Sequence, residues 1–497
     1  MTILEVLKQI TFGQRVAEEE AELLEKYFVE TDHWRRLFSD AVDVVYGPKG
    51  SGKSALYSLL VGRKTELFDR KILIVAAENP RGATAFRTLV TDPPASEREF
   101  IALWKLYIVC LVSATLDDYG ISGEQTKELQ DCLQESGLLP RQRNLQGVLV
   151  SVFDYVKRLF RPEAVEGSLN LDPTSQMPSG ITTRIIFGEP SAKQAAEGKV
   201  SVDRLLELGD KALADAGYRL WVLLDRLDVA FSESPELEQN ALRALFHVYL
   251  DLQSLNNYRL KIFLRTDIWR RITTIGFREA SHITRHLTIE WNKSSIRNLI
   301  IRRAIENNAI IDHYCENKEA VLVSEGSQGK FFYRLFPEQV EVGSRKPSTF
   351  DWMLSRTCDG SRQAAPREII HLLNALRDAQ VRHLEIGESN PEGGRLFSRP
   401  VFKDALPEVS KTRLEQTLYA EYPEFREYIE KLRGEKTQYL AASLVKIWKL
   451  SADKTIQVVR DLCMIGFFEQ RGEKENPIFW VPILYRDALD LVQGSSE

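Results

Sequence analysis

The stretch Gly47-Pro48-Lys49-Gly50-Ser51-Gly52-Lys53-Ser54 fits G-x-x-x-x-G-K-[ST] at every fixed position, the spacing of a phosphate-cradling P-loop. Glycines let successive backbone N–H groups turn inward at a helix start, where unpaired donors and the helix dipole favour a polyphosphate. Lys53 would then reach the β- and γ-phosphates, and Ser54 would offer its hydroxyl to Mg2+. The expected nucleotide-binding run is Gly47, Pro48, Lys49, Gly50, Ser51, Gly52, Lys53, Ser54 and Ala55. Its flanks supply the context the motif needs: Asp43 to Tyr46 has the β-branched and aromatic character of a buried strand, and Ala55 to Gly62 carries apolar residues at helical spacing.

A P-loop alone does not separate a kinase, a GTPase and a switch ATPase, so its companions decide. Tyr218 to Asp225 is an apolar strand ending in a carboxylate, and Asp225 is placed to hold Mg2+ through water, the Walker B role. Asp228 is the next carboxylate and the candidate for orienting or deprotonating the attacking water; the alternative is a cap in a first helical turn. The strand Leu260 to Leu264 ends in Arg265-Thr266-Asp267. Such polar tips suit a γ-phosphate sensor, or else a plain Arg265–Asp267 ion pair. Arg367 opens a later helix and is a candidate contact to nucleotide, where a solvated arginine is the alternative. GTP would call for an N-K-x-D base reader, and Asn292-Lys293-Ser294-Ser295 lacks the carboxylate. ATP with Mg2+ is therefore the expected cofactor pair.

These residues need a scaffold, and the strand-like runs alternate with helices of 10 to 20 residues. That pattern predicts an α/β fold, a three-layer parallel-sheet P-loop NTPase core. Lys71 to Ala77 reads as a second central strand. Helices are expected over Glu97–Thr115, Glu124–Glu135, Leu145–Leu159, Val202–Ala216 and Glu236–Leu255. A stretch rich in Pro, Gly and Ser, about 161–197, reads as an inserted hairpin or loop. From Ser294 the pattern turns helical. The expected domains are an N-terminal helical segment (1–40) packed on the nucleotide domain, the ATPase core (41–293), a helical lid (294–385), a linker with helices (386–435), and a winged helix (436–497) beginning with a helix from Lys436 to Leu450.

The 497-residue chain is 43% apolar and 28% charged with a formal net charge of -5, the balance of a globular protein that does not advertise nucleic-acid binding. Its five cysteines are widely spaced and lack any C-x-x-C, which argues against disulfides and a zinc site and for a cytoplasmic setting. No signal peptide is expected. The most apolar run, Phe100 to Leu116, contains Lys105 and reads as a core helix, so no membrane partner is expected. The tail from Lys436 balances eight basic against eight acidic residues, which offers little counterion release to DNA.

Several stretches together resemble a family of bacterial P-loop ATPases related to the AAA+, STAND and KAP NTPases and often found in phage-defence loci. They are Phe12-Gly13 with Ala17-Glu18-Glu19-Glu20, Tyr27-Phe28-Val29 with Thr31 and Trp34, the P-loop with its strand, Leu223 to Asp228, Phe263 to Ile268, and Pro366-Arg367-Glu368. The resemblance implies an additional-strand AAA+-like ATPase core, a helical lid and a C-terminal winged helix, with ATP binding coupled to assembly or to an effector. It carries Lys53, Ser54 and Asp225 over directly, Thr266 or Arg265 as sensor 1, and Arg367 as sensor 2. Many AAA+ proteins have glutamate directly after the Walker B aspartate, and here Arg226 stands there, so hydrolysis is slow or its base is displaced to Asp228. An arginine finger would be Arg278 or Arg285. The expected function is an ATP-hydrolysing switch in anti-phage defence, working as a homo-oligomer with a separate effector protein. The alternatives are a DNA-binding initiator-type or remodelling ATPase that grips duplex through the winged helix, and a slow-turnover nucleotide-gated scaffold.

Overall fold

Asp32–Gly47 and Lys53–Thr288 form one unit of the chain; Met1–Thr31, Pro48–Gly52 and Ile289–Glu497 form the other. The computed structural model describes residues 1–15, 19–20, 23–78, 96–139, 144–160, 184–227, 234–274, 276–473 and 476–495.

The first unit is built on strands β1 (Val44–Gly47), β2 (Ile72–Ala76), β3 (Ile185–Ile186), β4 (Val200–Ser201), β5 (Arg219–Leu224), β6 (Tyr258–Arg265) and β7 (His286–Thr288). Five of them make one parallel sheet in the order β2-β5-β6-β1-β7. β6 is thus inserted between β1 and β5, the additional strand of the expected core. β1 is buried at every position and β5 from Leu220 to Leu224, so helices must cover both faces of the sheet. Its core joins Leu73, Val222 and Ile262 to Leu103, Leu106, Leu242 and Leu245 of the helices Glu97–Asp118 and Pro235–Leu252. β7 went unforeseen because three residues are too few to show a period.

The helix Glu97–Asp118 is 22 residues long, longer than expected, and apolar enough to cross a membrane; 89% of its most apolar window is buried inside the protein, as a core helix requires. Lys105, the charge in that run, pairs with Asp203 and Asp251 at 2.7 Å each. Of the expected insertion, 161–183 lies outside the described residues. The remainder holds β3, which pairs in parallel with β4. All five cysteines are free thiols.

At the amino end of β1 a buried ion cluster fixes the sheet. Lys261, inside β6, donates to Asp40 at 2.6 Å, Asp43 at 2.9 Å and the carbonyl of Val42 at 2.6 Å, while its ammonium lies 4.4 Å from the Trp221 ring. Arg285 donates to Asp43 at 2.6 Å and to the carbonyl of Asp40. Burial alone would raise the Asp43 carboxyl, and Lys261 followed by Arg285 outweighs it and holds the group below its ordinary 3.8.

The second unit is mainly helical. Val6, Leu7, Ile10 and Phe12 join its core with Ile300, Leu372 and Leu376, while the helix Asp32–Phe38 of the expected N-terminal segment belongs to the first unit. Gly13 adopts φ +84 beside the buried Glu20–Arg303 ion pair at 2.7 Å, and a Cβ there would fall 1.8 Å from Glu20 Oε1. The aromatic-rich segment after residue 307 holds the helices Asn308–Tyr314, Lys318–Leu322 and Glu325–Leu335. Within the stretch expected to be a linker with helices (386–435), Leu396 and Phe397 are buried and belong to the core. The tail differs too: β8 (Lys436–Tyr439) replaces the first turn of the expected helix, which runs over Ala441–Trp448. The helix Ala452–Met464, β9 (Glu469–Glu473), β10 (Asn476–Trp480) and β11 (Val492–Ser495) follow, and the sheet order is β11-β8-β10-β9.

Candidate nucleotide site

β1 ends at Gly47, and the helix Lys53–Gly62 begins with the motif's lysine and serine. Strand, loop and helix therefore stand in the order the phosphate-cradling motif demands. The turn between them needs glycine: Gly50 has φ +79 and Gly52 φ +98, both in the left-handed region that side chains resist. Lys53 Nζ donates to the carbonyl of Gly47 at 2.8 Å, bringing its charge back over the loop entrance.

In the parallel sheet the strands' carboxyl ends share one edge, where α/β proteins bind ligands. Gly47 is in register with Arg265 on β6. Asp225, directly after β5, is 4% exposed. On the other side of β5, Ala76 aligns with Leu223 and Ala77 N–H donates to the carbonyl of Leu223 at 2.9 Å, which brings Glu78 level with Asp225. Glu78 is 1% exposed, and its carbonyl accepts from Tyr57 Oη at 2.9 Å. Tyr57 lies one turn beyond Lys53 on the same helix. Burial first, then the charges of Asp225 and Glu78, push the Tyr57 hydroxyl well above its ordinary value.

At the tip of β6, Arg265 binds Asp267 through two contacts, Nε to Oδ1 at 3.1 Å and Nη2 to Oδ2 at 2.9 Å. The Arg265–Asp267 ion pair, one of two options left open by the sequence, is present. Thr266 Oγ1 is buried without a hydrogen-bond partner among the described residues, which makes it the strand-tip group still seeking one. Arg285, one of the two candidate arginine fingers, is tied to Asp40 and Asp43 at the amino end of the sheet; Arg278 sits exposed in the turn Arg278–His282. Asp228 lies outside the described residues.

Pro48–Gly52 belong to the helical unit, and there the loop meets the start of the helix Pro366–Glu385. A Cβ on Gly50 would lie 3.0 Å from Arg367 Cβ and 3.5 Å from Glu368 Oε2, so Gly50 also allows the close approach of Arg367. Trp291 Nε1 donates to the carbonyl of Ser51 at 2.8 Å, and Lys49 pairs with Glu421. Glu368 in turn accepts from the buried Arg413 at 2.9 Å, and Arg413 also reaches Asp359 at 3.3 Å. Sequence reading missed Glu78, Trp291 and Glu421. Only Glu78 left a signal, as the first carboxylate after the apolar run Lys71 to Ala77.

Among the described residues no group of three or more His, Cys, Asp or Glu could hold a metal by itself. The Ser54 hydroxyl and the Asp225 carboxylate are hard oxygen donors of the kind Mg2+ uses when phosphates and water complete its shell.

No protein-family model matches the chain. No curated protein matches it either. Among solved structures it is similar to a Walker-type ATPase of Pyrococcus abyssi, with 12% identity over 93% of this chain and 96% of that one at a TM-score of 0.40. It is also similar to the Aeropyrum pernix ORC1 protein in complex with DNA, with 13% identity over 92% and 91% at a TM-score of 0.35, and to the Aeropyrum pernix ORC2 protein, with 13% identity over 93% and 89% at 0.31.

Proposed function

We propose that the chain is an ATP-binding and ATP-hydrolysing molecular switch. One observation carries the reading: a strand inserted between β1 and β5 aligns Arg265 with Gly47 at the edge where Lys53, Ser54 and Asp225 stand. Backbone N–H groups of the loop would cradle the phosphates and Lys53 would neutralise the β- and γ-oxygens. Ser54 and Asp225 would hold Mg2+, which supplies charge neutralisation when bound. Thr266, with its buried hydroxyl, is the better sensor 1, because Arg265 already has a bidentate carboxylate. Arg367, against Gly50, would report the state of the loop to the helical lid through Glu368 and Arg413, a role supported by the close approach of Arg367 to Gly50 and the Glu368–Arg413 bond.

The resemblance noted in the sequence supports a role in anti-phage defence, as a cytoplasmic homo-oligomer acting through a separate effector, with Arg278 as the remaining arginine-finger candidate. We read the tail from β8 onward as a winged helix. Its paired helices and the β9–β10 hairpin suit a groove contact, which is what favours a DNA-bound initiator-type ATPase as second reading. Hydrolysis measured with and without duplex DNA separates the two: a rate raised by DNA, with binding that falls steeply with salt, supports the initiator, and an indifferent rate supports the switch. The switch itself is tested by Lys53→Ala, which is expected to weaken ATP binding at least about tenfold and to remove ATP-dependent protection; unchanged binding and protection overturn it.

A further inference from the structure

Arg226 occupies the position after Asp225, with φ +58, so the side chain following the Walker B carboxylate cannot take a proton from water. A γ-phosphate attacked by water still needs an acceptor for that proton. Resting on the nucleotide reading above, we propose that Glu78 is the general base of ATP hydrolysis, supplied from β2, the strand beside the Walker B strand.

Three features place it. Glu78 is level with Asp225 across the β2–β5 pairing, at the same carboxyl edge of the sheet as Gly47. It is held to the P-loop helix by the 2.9 Å bond from Tyr57, which shares a helical face with Lys53. It is buried, where solvent screens a carboxylate little. In the step, a water oxygen attacks the γ-phosphorus as its proton passes to the Glu78 carboxylate. The new P–O bond forms while the bond from the γ-phosphorus to the β–γ bridging oxygen breaks, and ADP leaves with that electron pair. Release of phosphate and of the proton to solvent returns Glu78 to its ionised form.

The test compares wild type, Glu78→Gln and Asp228→Asn for MgATP affinity, steady-state turnover and thermal midpoint. The expected result is that Glu78→Gln binds MgATP within about threefold of wild type and loses turnover by roughly 100-fold or more, the usual effect of removing a general base, a larger loss than Asp228→Asn causes. Turnover retained in Glu78→Gln, or lost only in Asp228→Asn, overturns the assignment and leaves the ATPase reading standing. A wild type that binds ATP without cleaving it overturns the assignment in the same way. A wild type that binds no ATP overturns the nucleotide reading itself. Should Glu78→Gln fail to fold, Glu78→Asp decides: it keeps the charge and withdraws the carboxylate by one methylene, so turnover is expected to fall at least tenfold, and an unchanged rate overturns the proposal.

Discussion

Asp43 shows how single residues are held in tension. It is buried yet ionised, because Lys261 and Arg285 stabilise its charge more than burial opposes it. A carboxyl held below its unfolded value contributes stability that is fully present above the unfolded pKa, near 3.8, and lost as pH falls through the lower native value. Thermal melts of wild type and Asp43→Ala should therefore differ by about 3 kcal/mol near neutrality, the cost of stranding a buried cation, and converge as pH falls past 3.8 and through the lower native value. A difference that persists undiminished in strong acid would contradict the ion-pair explanation. Gly13 is subject to a different constraint. Its left-handed φ and the 1.8 Å approach of Glu20 mean that Gly13→Ala must displace the Glu20–Arg303 pair. A loss of about 2 kcal/mol or more in denaturant unfolding is expected.

At the level of elements, legibility followed length and period. β5 and β6, with six and eight residues, announced themselves as apolar runs, and the helix Glu124–Glu135 was readable to the residue from its polar face and apolar stripe. β7 and β8, with three and four residues, are stabilised by pairing with β1 and β10 rather than by their own pattern, so nothing local marked them. The same holds for the candidate site. Lys53, Ser54 and Asp225 lie in contiguous motifs and were visible; Glu78 takes its meaning from a register between strands more than 140 residues apart, which no window along the chain contains. Arg285 misled for the same reason: its charge looked available in sequence, and Asp43, 242 positions away, consumes it.

For the whole molecule, the proposed switch has to convert ATP binding at the Gly47–Ser54 loop into a change that a partner can read. Mass measurement with and without a non-hydrolysable ATP analogue is expected to show a nucleotide-dependent change of stoichiometry in wild type and none in Lys53→Ala; an identical mass in all four conditions would argue that the switch acts without assembly. The claim beneath every other is that the Gly47–Ser54 loop binds ATP. It is tested most directly by titrating MgATP into wild type and Lys53→Ala by calorimetry. The expected result is saturable binding by wild type and at least about tenfold weaker binding by the variant at an unchanged thermal midpoint, from the loss of charge-assisted hydrogen bonds to phosphate. Equal affinity in the two proteins, or no binding by wild type, would contradict it.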